Sequence, residues 1–283
     1  MIDDTTEPAA GSRNIPALLA DLRSRKQSRT VRLTGSPGGT LHLRDGLVVA
    51  METPAAPNVE SLLLRSGRIT EEAWSAVCAA DTTHGRLAEE LVAQELVGAG
   101  ELEIISLSAL FDAAFALSLS RPEGWEVTEP VPVLYRNAGI TPERLVTEIS
   151  RRTGLLAGGP GSVAEFARTR MQLAAPAQLP GAVGALPARH QDVLANTDGR
   201  RTPRDIAFAL GRGLFAVMLD LRRLLALGLV QPTAPLTPQR PSTATRTPSA
   251  PVPAPPAAVP LPRRLPGRNA PTPAPAPPAT GAP

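Results

Sequence analysis

From Pro232 to Pro283 the chain is almost entirely proline, alanine, threonine and arginine, and this stretch holds 18 of its 32 prolines. It cannot build a packed core. Without aromatic or β-branched runs to bury, and with an amide donor missing at every proline, residues 232–283 are expected to form a disordered, solvated, partly polyproline II tail. The tail carries Arg240, Arg246, Arg263, Arg264 and Arg268 and no acid. Removing those five from the 29 basic residues leaves 24 against 26 carboxylates, so the rest of the chain is slightly acidic. The net charge of +3 therefore belongs to the tail and does not argue for a basic folded face that binds nucleic acid.

The roughly 230 residues before the tail suffice for one large or two small domains with mainly aliphatic cores. Cys78 is the only cysteine, which rules out an internal disulfide. There is no signal peptide and no apolar run near 18 residues, so a cytoplasmic protein without a membrane partner is expected. The 28 arginines to one lysine (Lys26), with heavy use of alanine and proline, suggest the coding bias of a high-GC bacterial genome.

Residues 1–12 are expected to be disordered. Asn14 then caps a helix carrying Ile15, Leu18, Leu19 and Leu22 at helical spacing. Val31 and Leu33 alternate with arginine, and after the turn at Ser36-Pro37-Gly38-Gly39 Leu41 and Leu43 alternate with His42 and Arg44, predicting a hairpin. Asp45-Gly46 is a two-residue turn into a third strand over Leu47–Met51. Helices are predicted from Asn58, from Thr70, through Leu87–Leu96, through Glu101–Leu119 and from Thr141, with Gly124–Val127 as a returning strand. Between Gly154 and Leu186 the periodicity fades apart from a capping box at Ser162 and Glu165. It returns in helices over Ala188–Ala195, from Thr202 and from Leu214 to about Gly228, spaced like a helix-turn-helix.

The fold class expected is therefore α+β, with a three-stranded meander and packed helices over 13–153. A connector over 154–186, a small helix-turn-helix-like domain over 187–231 and the tail over 232–283 complete the chain.

Two resemblances bear on function. "IPALLADLRSRKQSRTVRL", "GTLHLRDGLVVAM", "NVESLLLRSGRIT" and "GRLAEELVAQELVGAGELE", leading to Gly124-Trp125, resemble the PATAN domain, a bacterial signalling module, over residues 15–127 or roughly 40% of the chain. The likeness implies a regulatory module that docks other proteins and carries no catalytic residue. "DGRRTPRDIAFALGRGLFAVMLDLRRLLALGLV" is similar to winged-helix, MarR-like modules over Leu186–Val230. That likeness implies DNA binding by the helix-turn-helix of residues 202–228, with Arg212, Arg222 and Arg223 as the nucleic-acid contacts.

The residues themselves favour the first reading. A wing would need a hairpin after Leu229-Val230, where the proline-rich tail follows. The second helix offers few base readers, since Leu214, Val217, Met218, Leu221 and Leu225 suit a core face. On the opposite side a stripe of Phe215, Leu219, Arg222 and Ala226 is expected to be exposed and to dock a protein partner, and a homo-oligomer stays open. His42, His84 and His190 are far apart and Cys78 suits a small buried apolar position, so neither a metal nor a nucleophile is expected. The glycine-rich runs lack the lysine of a phosphate loop, and Glu71-Glu72 and Glu89-Glu90 suit exposed helix turns. No cofactor and no enzymatic activity are expected.

Overall fold

A computed structural model of the chain describes residues 15–80, 86–133, 138–159, 161–175 and 186–233. The expectations for residues 1–12, Asn14, His84 and the tail beyond Thr233 lie outside the described residues. Ten helices and six strands are formed among those residues. In chain order they are α1 (Ile15–Ser24), β1 (Arg29–Thr34), β2 (Gly39–Arg44), β3 (Leu47–Glu52), α2 (Val59–Arg65), α3 (Glu71–Ala80), α4 (Leu87–Ala93) and α5 (Ala99–Ser118). There follow β4 (Gly124–Thr128), α6 (Pro142–Leu156), α7 (Val163–Arg168), β5 (Met171–Leu173), α8 (Ala188–Ala195), α9 (Pro203–Leu210), α10 (Leu214–Ala226) and β6 (Val230–Pro232).

The chain is thus mixed helix and strand. Its main sheet is antiparallel with the order β3-β2-β1-β4, so the expected meander gains the returning strand beside β1. Alternation decides which side chains turn inward. Val31 and Leu33 of β1 and Leu41 and Leu43 of β2 lie on the face covered by α1 and α5, where they meet Leu19, Leu22, Leu110 and Leu117. Asp45 and Gly46 both have positive φ, 52° and 74°, as the two-residue turn between twisted strands requires. A side chain at Gly46 would also start 2.7 Å from the Cα of Arg23. Gly46→Val is therefore expected to lose about 2–4 kcal/mol of stability in urea unfolding, from left-handed strain and overpacking together. An unchanged midpoint would show that the turn does not need its glycine.

Several helix starts follow the expected chemistry. Asn58, Thr141, Ser162 and Thr202 each accept a backbone amide of the first turn, and Ser162 with Glu165 and Thr202 with Asp205 complete reciprocal capping boxes. Cys78 differs from its expectation and is exposed, because Trp74 and Val77 take the buried face of α3 and Cys78 lies one helical step beyond it.

Helix α5 is the axis of the fold. From Ala109 to Leu117 every residue except Phe111 is buried. The reason is that three apolar clusters share the helix. Its first half packs on α2, α3 and α4, its middle on the sheet, and Phe115 and Ala116 on the core formed by α6 to α10. The described residues belong to one compact unit whose boundary is Pro235.

The weakly patterned stretch before α8 supplies a strand. β5 pairs antiparallel with β6, with Gln172 opposite Gln231, and Gln172 also bridges Asp198. The segment around Val230 thus finds a partner upstream, some sixty residues back.

Candidate functional site

Both functional expectations converge on α10, which is buried through Leu214, Phe215, Val217, Met218, Asp220, Leu221 and Leu224. The expected exposed stripe does not form. Phe215 is only 9% exposed and meets Phe115 edge to face at 5.6 Å, while Leu219 is half-buried against the same core. Arg222 is half-buried with its guanidinium 3.9 Å from the Phe166 ring centre, and burial holds its pKa below the ordinary arginine value. Only Ala226 of the stripe is exposed. Phe215 turns inward because α5 and α6 lie across the first half of α10, a neighbour that the periodicity of α10 alone does not reveal.

What holds that first half is a polar junction inside an apolar core. Asp112 of α5 is 3% exposed and Arg152 of α6 is 8% exposed, and Arg152 Nη1 donates to Asp112 Oδ1 at 2.5 Å. The N-cap of α10, Gly213, has no side chain to accept the first amides. Asp112 takes that role from another helix, accepting the Phe215 amide at 3.4 Å, and its Oδ2 occupies the space that any side chain at Gly213 would need. Burial pushes the Asp112 carboxyl above the usual carboxylate range, while Arg152 and the α10 amides pull it back. Arg152 also donates to Glu148 at 2.8 Å and stacks 4.8 Å from the Phe215 ring centre. Two hydrogen bonds from Arg151, joined by Arg152, hold Glu148 at about 2.

A second junction ties the other side of the same turn. Asp220 accepts Arg212 Nη2 at 2.6 Å and lies 3.1 Å from Nε2 of buried His190, while Arg212 Nη1 donates to the Arg189 carbonyl at 3.1 Å. The three arginines expected to contact nucleic acid are therefore not brought together. Arg212 folds back on Asp220, Arg222 lies on Phe166, and Arg223 is exposed.

Beside Arg222 and Arg223 the surface opens into a groove of about 550 Å³ between the end of α6 and the second half of α10, walled by Leu155, Leu225, Ala226 and Pro232. Leu155 is 54% exposed. The residues that organise this region, Asp112, Arg152, His190 and Asp220, were not singled out from sequence as its organisers. The available signal was a lone acid in each of two apolar runs, "ALFDAAFAL" and "AVMLDLRRLL". Among the described residues no group of three or more histidine, cysteine or acidic side chains is placed to hold a metal, and no helix is long and apolar enough to cross a membrane. Comparison with known protein families, with curated proteins and with solved structures finds no match.

Proposed function

We propose that this chain is a non-catalytic regulatory or adaptor protein of a bacterial signalling system, with a PATAN-like sheet-bearing part and a winged-helix-like part built on α8, α9 and α10. It acts by docking another protein in the groove between α6 and α10. The observation that carries this reading is the cover over the N-terminal turn of α10. A recognition helix offers those residues to base edges, whereas here Asp112 engages the turn and Arg212 is bound to Asp220. The DNA-binding alternative keeps only Arg222 and Arg223 at the far end of the helix, where they suit phosphate contact more than base readout. Protein docking fits the exposed Leu155 and the exposed Arg223 beside it, an apolar centre with a charged edge.

A photo-reactive phenylalanine analogue placed at Leu155 in the full chain tests this in cells. We expect one protein adduct that disappears when Ala226→Asp is added, while the same analogue at Ile104, an exposed site on α5, gives none. Adducts to nucleic acid from position 155, or the same adducts from both positions, would overturn the reading.

A further inference from the structure

A second concavity lies away from the groove, where the end of α5, the end of α7 and the start of α9 meet the loop between β1 and β2. It encloses about 430 Å³, the size of a small-molecule site rather than of a duplex. Arg121, Arg168 and Arg204 line it, one from each of those three helical regions, over an apolar floor that includes Ala116 and Leu214.

Among the described residues none of the three arginines has a carboxylate within ion-pair distance. The acids best placed to neutralise them are engaged elsewhere. Glu165, one turn before Arg168, accepts the Ser162 amide at 2.8 Å, and Asp205, next to Arg204, accepts the Thr202 amide at 2.9 Å. Both capping boxes hold their carboxylates at a helix start, and although the charge of Arg168 is felt at Glu165, neither acid forms an ion pair with these arginines. Arg168 is further fixed by donating to the Leu119 carbonyl at 3.3 Å, and Arg204 lies 5.8 Å from the Phe208 ring centre.

Three arginines without an ion pair around one small cleft favour a ligand with at least two negative charges and pairs of oxygen acceptors that a guanidinium fork can engage, as phosphate and pyrophosphate groups offer. A single carboxylate would leave most of that charge unmatched. The apolar floor adds room for an uncharged part of the ligand. We propose that this cleft binds a small organic phosphate bearing a phosphate ester or pyrophosphate group, independently of the protein-docking groove.

Calorimetric titration of the full chain at about 150 mM salt tests this with two probes, inorganic pyrophosphate and adenosine diphosphate. Saturable binding of both is expected, with the organic diphosphate the tighter because it also covers the floor. Arg121→Ala and Arg204→Ala should each weaken binding by at least about tenfold, since each removes a charge-assisted pair. Arg223→Ala, in the other groove, should leave it unchanged. The melting temperatures of the unliganded variants should match the parent, because neither arginine makes an ion pair. The proposal fails if neither probe saturates or if Arg223→Ala weakens binding as much as the cleft variants do. It also fails if duplex DNA or a phosphorylated peptide, titrated in the same way, binds more tightly than the diphosphate and loses that binding on Arg121→Ala and Arg204→Ala.

Discussion

Replacing Arg152 by methionine is expected to cost about 3–5 kcal/mol of stability at neutral pH, the loss associated with leaving a buried charge without its partner. Methionine keeps the apolar stem against Phe215 and Phe111 but leaves Asp112 in the core with only the α10 amides to satisfy it. The loss should depend on pH in a defined direction. Burial already raises Asp112, and without Arg152 it rises further, so the folded state holds a proton that the unfolded chain releases near its ordinary value of about 4. Stability then falls as pH rises, and the deficit is full at neutral pH and narrows as pH is lowered towards the unfolded pKa. Combining Arg152→Met with Asp112→Leu should recover much of the loss, because a buried pair can often be replaced by apolar side chains of similar volume. Urea unfolding at two pH values checks all three statements. A pH-independent loss would mean that Asp112 is reached by water.

Phe215→Ala should cost about 3–5 kcal/mol, as truncation of a buried phenylalanine does. The ring is the common contact of Phe115 and Arg152, so its removal opens a void at the meeting point of α5, α6 and α10. Leu219→Ala, at a half-buried position, should cost clearly less. The measurement is the urea midpoint at constant m value. A loss below about 1 kcal/mol would put Phe215 on the surface and restore the docking stripe expected from sequence.

The difference between what was legible and what was not follows from the range of the interactions. Strands β1 to β3 can be read because their period of two is interrupted by Asp45-Gly46, a turn whose backbone demand is local. The capping boxes at Ser162 and Thr202 are equally local, since donor and acceptor lie three residues apart. The face of α10 that turns inward cannot be read that way, because Leu214, Phe215, Val217, Met218, Leu219 and Leu221 place apolar side chains all around it. Which are buried is decided by α8 and α9 together with α5 and α6, and the last two arrive from about a hundred and about seventy residues upstream. The same holds for β5, three residues long and paired with β6 far along the chain. Asp112 is visible as a lone acid in an apolar run, but its partner Arg152 lies forty residues away. The arginine cleft is still less legible, being assembled from the ends of three elements whose individual arginines look like ordinary surface residues.

We propose that Asp112, by engaging the first turn of α10 from α5, leaves this chain to dock protein rather than to read DNA. Titration of the full chain with pooled genomic duplex fragments, at salt concentrations from about 50 to about 200 mM, tests it most directly. At most weak binding is expected, fading steeply with salt, showing no fragment preference and unaffected by Arg212→Ala. Retention of a particular fragment at about 200 mM salt, lost on Arg212→Ala, would contradict it.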